Sequence, residues 1–497
     1  MTKKLLLLSS ASLALAGCAV TPKPLTSTEI DTAAERNFAQ VDVDQEPITA
    51  PVDLYEAMAR ALKYNLDYKV AMMEEALRSR ETDASRYDML PQLVANAGYA
   101  GRNNFAGASS LSLLTRRQSL EPSTSAERDI FSANLALSWD VLDFGLSKVR
   151  SEQLADQYLI SQERRRKVAN RVIEDVRTSY WRAVSAQRLL DELEELEGSV
   201  TTTLENSEKQ AERRLSAPLT ALTYQRELVE IQAEIRRLQR ELVIAKAQLA
   251  ALMNLKPEIE FTLAMPDRTK MLPGVDYTGQ DMMMTALKNR PELREVAYLQ
   301  RINDKELDAA LLSALPSLRG IVGVNVDSND FLFNNNWLNY GAQASWNVLN
   351  LFSLGPRKKA VRAEGELLRQ RELALAMAVL TQVHVARARY RHLNDELSTA
   401  EHQHRVQEKI LYQIESGNRA GAVSRQTLLR EKMNTLVSEV RYDIAFADAQ
   451  NAYANLFASM GLDYFSPEVT GQEDVATLRA SLERLWNERE VALTSAQ

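Results

Sequence analysis

The residues that could bind a metal ion are few, since the chain of 497 residues has four histidines and one cysteine, Cys18. His384, His392, His402 and His404 fall within one predicted helix. His384 and His392 share a face of that helix but would lie about 12 Å apart, too far to ligate one ion. His402 and His404 point to different sides. We expect all four on the surface and predict no metal site.

A run of methionines, Met282–Met284, could indicate soft-metal chemistry. Three consecutive residues cannot share one helical face, and they follow Asp281, a plausible N-cap, so we interpret them as core-filling residues. The sequence contains no Gly-rich phosphate loop, nucleophile elbow or pair of catalytic carboxylates. These observations predict a protein that is not an enzyme and that uses no cofactor.

The single cysteine lies at the end of an N-terminal signal. Two lysines precede an apolar run, residues 5–16, which is shorter than the roughly 20 residues of a spanning helix. The run ends in Leu15-Ala16-Gly17-Cys18, which resembles a bacterial lipobox. We therefore expect residues 1–17 to be removed and Cys18 to carry the lipid; an ordinary signal with an incidental cysteine is the alternative. Ala19, in place of the Asp that favours inner-membrane retention, predicts the outer membrane.

The composition excludes several classes of protein. The 67 acidic residues outnumber the 60 basic ones, for a formal net charge of −7, so the chain lacks the basic surface of a nucleic-acid-binding protein. Charged residues make up 26% and hydrophobic ones 45%, which excludes disorder and a polytopic helical membrane protein. After Leu25 no apolar run is long enough for a spanning helix, so any further membrane contact must come from strands.

The chain contains an internal repeat. Ala61-Leu62-Lys63 recurs as Ala286-Leu287-Lys288, and Trp139-Asp140-Val141-Leu142-Asp143 recurs as Trp346-Asn347-Val348-Leu349-Asn350. The offset falls by 18 residues between these two matches because the second copy has a shorter segment between its strands. The order of the matches indicates a duplication.

Each copy predicts a first helix, a proline stop, an extended hairpin and two long helices joined by a turn. The first helices are expected at 53–88 and 281–313, the hairpins at 91–142 and 316–350, and the turns near 215–220 and 416–424. The chain accordingly divides into a signal peptide (1–17), a lipidated extended segment (18–52), repeat 1 (53–255), a linker (256–280), repeat 2 (281–462) and a C-terminal segment (463–497).

The second strand of each hairpin alternates between apolar and polar residues. One face carries Phe131, Ala133, Leu135, Leu137, Trp139 and Val141 in copy one and Tyr340, Ala342, Ala344, Trp346 and Val348 in copy two. A tilted strand needs about 9–11 such residues to cross a bilayer, and tryptophans near the ends are typical of the interface. A half-buried strand of a soluble sheet is the alternative. Four strands cannot close a barrel, so two copies would pool eight strands and three would pool twelve.

The long helices carry heptad seams. Between residues 152 and 216 there is no proline, which predicts a rod of roughly 100 Å. The predicted seams are Ala186, Leu189, Leu193, Leu196, Val200, Thr203 and Ser207 in one helix, and Leu228, Ile231, Ile235, Leu238, Leu242, Ala245, Leu249 and Leu252 in the next.

Taken together, the sequence resembles the TolC-type outer-membrane channel proteins, in their lipoprotein branch. The resemblance rests on the lipobox, the duplicated plan, the prolines Pro91 and Pro316, and the second turn, Gly417-Asn418-Arg419-Ala420-Gly421-Ala422-Val423-Ser424. The first turn, Ala217-Pro218-Leu219-Thr220, departs from the family pattern because alanine replaces glycine and proline follows it.

The resemblance implies a homotrimer in the outer membrane, mainly helical, with a 12-stranded β-barrel that continues into a periplasmic helical barrel. It also implies that the turns meet a periplasmic adaptor protein bound to an inner-membrane pump. By analogy Leu219, Thr220, Gly421, Val423 and Ser424 would dock the adaptor, whereas a plain helical hairpin would use glycine and the hydroxyls only to cap helices. The segments 256–280 and 463–497 would form a collar around the rods.

One departure from the family concerns the tunnel. Many relatives place Asp three and six residues after the tip hydroxyl, where this chain has Thr427 and Arg430. Copy one has Thr223 and Arg226. An acidic ring is therefore not expected; Arg430 either lines a cationic constriction or pairs with Glu431 or Asp443.

Three functions are consistent with the sequence. A passive conduit for small molecules such as drugs, within a tripartite efflux system, is the first. The second is the duct of a type I protein-secretion system, which has the same architecture. A lipid-anchored periplasmic coiled-coil scaffold is the third.

Overall fold

The computed structural model of the chain describes residues 22–40, 45–119, 121–213, 218–256, 259–266, 278–462 and 469–494. Its helices are α1 Ser27–Gln40, α2 Leu54–Tyr64, α3 Leu66–Ser85, α4 Val141–Glu212, α5 Pro218–Leu252, α6 Gly279–Asn289, α7 Pro291–Leu312, α8 Leu349–Arg419, α9 Arg425–Ser459 and α10 Val475–Thr494. Its strands are β1 Gln92–Gly101, β2 Asp129–Asp140, β3 Ser317–Asp327 and β4 Asn336–Ser345. A 3₁₀ turn, Arg86–Met89, joins α3 to β1.

The two long helices are α4 with 72 residues and α8 with 71, each roughly 105 Å at 1.5 Å per residue. The helices α5 and α9, of 35 residues each, fold back along them. Nearer the sheet the lateral order is α3, α4, α7, α8, and nearer the turns it is α5, α4, α9, α8. No helix in the described part of the chain is both long and apolar enough to cross a membrane.

The four strands form one antiparallel sheet in the order β1-β2-β3-β4. The pairing of β2 with β3 joins the hairpins of the two repeats, for example Leu135 opposite Val324. Each repeat thus contributes half of the sheet. Among the described strands, β1 and β4 pair on one side only, which leaves two open sheet edges per chain.

The predicted seams form a continuous core between α4, α5 and α9. Leu189, Leu193, Leu196 and Val200 of α4 are buried against Leu228, Ile235 and Leu238 of α5 and Leu429, Met433, Leu436 and Val440 of α9. The seam predictions are confirmed at these positions of α4 and α5; the side chains of Ala186 and Leu242 lie outside the described ones. Burial of about 2 kcal/mol per large aliphatic side chain explains why so long a hairpin stays closed.

Two short segments pack around the middle of the rods. Val52 pairs with Leu263 in a parallel bridge, and α10 places Leu478 and Leu482 in the same buried cluster as Met58 of α2. The cluster also includes Trp181 of α4, forty residues from the start of that helix. Residues 259–266 and α10 therefore form a collar about 60 Å from the sheet.

The interpretation of residues 18–52 as extended is wrong for Ser27–Gln40, which form helix α1. A capping box begins it: the Glu29 carboxylate accepts from the Thr26 backbone N–H at 2.7 Å, and Thr26 Oγ1 accepts from the Glu29 N–H at 3.3 Å. The sequence signal, Thr-x-x-Glu, is plain at 26–29. No residue of α1 is buried.

The first helix of each repeat is split in two, so the single helices predicted at 53–88 and 281–313 are wrong in this respect. Asn65 ends α2 by donating its N–H to Ala61 O at 2.9 Å, and its side chain caps α3 by accepting from the Tyr68 N–H at 3.2 Å. In the second repeat Pro291 begins α7, where the missing N–H costs no helical bond.

Candidate functional site

The register of the sheet separates an apolar face from a polar one. The apolar face carries Leu93, Ala95, Ala97, Tyr99, Phe131, Ala133, Leu135, Leu137, Trp139, Gly320, Val322, Val324, Val326, Leu338, Tyr340, Ala342 and Ala344. The opposite face carries Gln92, Asn96, Ser132, Asn134, Ser138, Asp140, Arg319, Asn325, Asp327, Asn339, Gln343 and Ser345, with small or apolar residues between them. The alternation predicted for β2 and β4 is confirmed as far as Trp139 and Ala344, and the pairing extends it to β1 and β3. It is wrong for Val141, which begins α4, and for Trp346 and Val348, which follow the end of β4.

The junction between sheet and rod is held by Asp140, the last residue of β2. Its carboxylate caps α4 by accepting from the Leu142 N–H at 2.9 Å, accepts from the Ser317 hydroxyl, and lies 3.6 Å from the Arg319 guanidinium. Trp139 and Trp346 both lie at this end, and Trp346 donates to Ala314 O at 3.0 Å. The sheet is therefore fixed rigidly to the top of the helices.

The two outer helices near the sheet expose apolar stripes. On α3 these residues are Leu66, Val70, Met73 and Leu77, and on α8 they are Leu373 and Met377. A line of contacts places the stripes at one height: Gln162 of α4 donates to Glu75 of α3 (3.2 Å), Arg164 of α4 to Glu295 of α7 (2.9 Å), and Gln300 of α7 to Glu372 of α8 (2.9 Å). The spacing of three and four residues on α3 was visible in the sequence.

The two repeats are tied together by charge where α4 meets α7. Lys167 and Arg164 donate to Glu295 at 2.6 and 2.9 Å, and Lys305 lies 2.5 Å from Glu152. Burial alone would raise the pKa of Glu295, but these two hydrogen bonds outweigh it and hold the pKa of the carboxyl below its usual value. Glu295 therefore stays ionised and cross-links the repeats.

The second turn is a Schellman motif. Gly421 has φ of +71°, the Ala422 N–H donates to Gly417 O at 2.9 Å, and the Gly421 N–H donates to Asn418 O at 3.0 Å. Val423 packs on Gly417 so closely that a Cβ there would lie 2.6 Å from Val423 Cγ2. The capping roles predicted for glycine and hydroxyl are both present here, since Ser424 caps α9 by accepting from the Thr427 N–H at 3.1 Å.

The first turn is described only from Pro218, which begins α5; Ala217 lies outside the described residues. Leu219 is 78% exposed although it is a leucine, and Thr220 is exposed beside it. The two turns meet through Gln426 of α9, which donates to Glu227 of α5 at 2.7 Å. Sequence reasoning missed this contact because it joins residues 199 positions apart.

The positions proposed for a constriction differ from each other. Thr427 is half-buried and bound to Ser424 Oγ at 2.9 Å, so its hydroxyl belongs to the cap of α9. Arg430 is half-exposed, and its guanidinium lies 3.5 Å from the Glu431 carboxylate. This confirms the predicted pairing of Arg430 with Glu431. The other pairing is wrong, because Asp443 binds Arg188 of α4 at 2.6 Å.

The prediction that all four histidines lie on the surface is wrong for His404. It is buried, its Nδ1 lies 3.0 Å from Ser438 Oγ, and its ring stacks on Tyr442. The heptad signal Tyr390, Leu397, His404 places it in the α8–α9 seam. Among the described residues no group of three His, Cys, Asp or Glu side chains could hold a metal ion.

The start of α6 corrects the N-cap predicted there and tests the interpretation of Met282–Met284. Thr278, rather than Asp281, is the N-cap of α6, since its side chain accepts from the Asp281 N–H. Met282 is buried as expected, whereas Met284 is half-exposed. The predicted lipidation site, Cys18, lies outside the described residues.

Comparison with known proteins agrees with this architecture. Residues 57–255 match the family model described as outer membrane efflux protein. The fold resembles that of the CmeC outer membrane channel of Campylobacter jejuni (13% identity, TM-score 0.64, 94% of this chain and 98% of that one). It also resembles CusC (20%, 0.62, 85% and 96%) and the open state of the MtrE outer membrane channel of Neisseria gonorrhoeae (17%, 0.61, 82% and 88%). A search of curated protein sequences finds no match.

The fold is therefore that of the outer-membrane channels, mainly helical with a small antiparallel sheet, as the sequence predicted. The match of residues 57–255 to the outer membrane efflux protein family agrees with the resemblance to the TolC-type proteins.

Proposed function

We propose that three copies of this chain form a channel through the outer membrane and the periplasm. The observation that supports this most strongly is the two-faced sheet with open edges on β1 and β4. An unpaired edge is not tolerated in hydrocarbon, and four strands are too few to close a barrel. Pairing of β1 with β4 of a neighbouring copy removes every edge, and three copies give the twelve strands expected from the family.

The helices support the same ring. The stripe on α3 and the stripe on α8 lie at opposite margins of the helical layer and at one height. Contact between different surfaces of neighbouring copies is heterologous, and such contacts close into a ring when the rotation allows it. Burying Val70 and Met73 against Met377 of a neighbour would continue the layer α3, α4, α7, α8 around a tunnel.

The channel is a passive conduit for small molecules from the periplasm to the exterior, the role that the efflux description of the matched family suggests.

An adaptor protein in the periplasm docks at the turns, where Leu219, Thr220, Gly421, Val423 and Ser424 lie, and it connects the channel to an inner-membrane pump. Exposure of the apolar Leu219 supports this. At the level of Thr427 and Arg430 the channel has no acidic gate, because neither side chain is negative and Arg430 offsets the charge of Glu431, 3.5 Å away. No observation on the described residues favours a protein cargo.

The test of this function is export by cells. The channel is expressed with its adaptor and pump in a bacterium that lacks its own outer-membrane channels, and retention of a fluorescent efflux substrate is measured. We expect wild type to lower retention and Leu219→Asp to restore it. Retention that is the same with and without the channel would contradict the proposal.

A variant without the acylated cysteine distinguishes a membrane channel from a lipid-anchored scaffold. Cys18→Ala, with a cleavable signal, removes the acyl anchor that the lipobox predicts and leaves the sheet unchanged. We expect the variant to remain in the outer-membrane fraction, because the strands hold it there. Release of the variant into the soluble periplasmic fraction would favour the scaffold.

A further inference from the structure

Four asparagines form a row across the polar face of the sheet, one from each strand. Asn96 of β1 donates to Asn134 of β2 at 2.9 Å, and Asn325 of β3 donates to Asn339 of β4 at 2.6 Å. Asn134 and Asn325 are directly opposite in the β2–β3 register, so the two pairs lie side by side. The row therefore runs the full width of the sheet at mid-height.

A glycine makes room for this row. Gly323 lies opposite Asn339 in the register, and a Cβ built there would lie 2.8 Å from Asn339 Oδ1 and 3.1 Å from Leu135 O. The Asn339 amide occupies the space that a side chain at Gly323 would fill, which lets it reach Asn325. Gly323 is thus a positioning residue for the row.

The row is the most polar feature in the middle of this face. Gly98, Ala136 and Gly341 beside the row are small, whereas Trp337, which lies opposite Asn325, is large and apolar. The charged residues of the same face lie at its two ends: Asp140 and Arg319, 3.6 Å apart, at the helical end, and Asp327 at the other. Mid-height of the face is polar but uncharged.

We infer that these asparagines form a neutral amide belt that keeps the membrane pore weakly selective between cations and anions. The inference rests on the proposed function, since closure of the ring by three copies would join twelve amides into one belt. An amide offers a carbonyl acceptor and two N–H donors, so the belt solvates cations, anions and uncharged polar solutes without favouring one charge. The belt therefore suits a pore that passes hydrated molecules of either charge.

The test introduces charge at one position of the belt. Asn134→Asp places three carboxylates in the ring, and Asn103→Asp, in the exposed β1–β2 loop, is the matched control. Reversal potentials are measured for full-length channels in planar bilayers under a salt gradient at neutral pH. We expect Asn134→Asp to raise the cation-to-anion permeability ratio at least about threefold over wild type, and Asn103→Asp to change it little.

A second variant tests the polarity of the belt. Asn134→Leu removes the amide without adding charge and should lower single-channel conductance by about half or more, because the ring loses hydrogen-bonding groups that contact water. Heat-sensitive oligomer bands and far-ultraviolet circular dichroism confirm that each variant is folded. Equal permeability ratios for Asn134→Asp and Asn103→Asp in conducting channels would overturn the belt; absence of current in wild type would instead overturn the proposed function.

Discussion

At the residue scale, the turns combine a structural role with a proposed docking role, and single substitutions can separate them. Ser424 caps α9 through its hydroxyl, so Ser424→Ala should lower stability by about 1 kcal/mol. Leu219→Asp should leave stability unchanged, since Leu219 is 78% exposed, but weaken capture of the adaptor. Thermal midpoints and adaptor pull-down measure the two effects. A Leu219→Asp channel that binds the adaptor as wild type does would remove Leu219 from the docking surface.

Also at this scale, Glu295 predicts a dependence of stability on pH. Its lowered pKa means that the ionised form is favoured by folding, so its contribution is complete above the ordinary glutamate pKa of about 4.3. The contribution is lost as the pH falls through the lower pKa of the folded state. Glu295→Gln should therefore lower the thermal midpoint at pH 7, by the equivalent of about 2 kcal/mol, and much less at pH 3.

The exposed Glu74 is the control for this experiment, because Glu74→Gln removes a carboxylate at the surface of α3. Its thermal midpoint should stay close to that of wild type at both pH values. A deficit of Glu295→Gln that is as large at pH 3 as at pH 7 would show that lost packing, rather than lost charge, is responsible.

At the scale of elements, the apolar stripes predict which helices of neighbouring copies meet. Met73 of α3 and Met377 of α8 lie at one height on opposite margins of a protomer. We expect Met73→Cys combined with Met377→Cys to form covalent dimers and trimers between chains under mild oxidation, seen on denaturing gels. Met73→Cys combined with Val406→Cys is the control, since Val406 lies about 44 Å further along α8. Equal cross-linking of both pairs would contradict the ordered ring.

The elements also show what the sequence could predict. Period-two alternation in β2 and the heptads of Leu189 and Leu228 predicted strand faces and seams, because burial of a whole stripe outweighs local preferences. The breaks between helices were missed, since one residue, Asn65, supplies both a C-terminal and an N-terminal cap. The pairing of β2 with β3 and the asparagine row depend on register between segments about 190 residues apart, which no local pattern encodes.

For the molecule as a whole, the lipid anchor proposed at Cys18 and the collar would limit each other. Gln45 donates to Asn254 O at the collar, about 60 Å from the sheet. Between Cys18 and Gln45 the 14 residues of α1 span about 21 Å, and the others reach about 45 Å when extended. An anchor at Cys18 would therefore reach the bilayer with about 6 Å of chain to spare.

Deletion of α1 should make this tether too short. We expect a chain without residues 27–40 to have a less stable collar, seen as faster proteolysis of α10 in membranes. Adding Cys18→Ala, with a cleavable signal, should restore resistance, because the tether is then no longer held at the membrane. Equal sensitivity of the two deletion variants would show that α1 stabilises the collar by itself.

The number of chains in the particle and the pairing of their sheets test most directly whether incomplete sheets combine into a pore. Electron cryomicroscopy of the full-length protein in lipid nanodiscs would show it in views along the rods. We predict a threefold particle in which β1 of each chain pairs with β4 of the next, twelve strands enclosing one pore that continues into the helical tunnel. Particles that contain a single chain, or copies whose sheets do not join, would contradict the account.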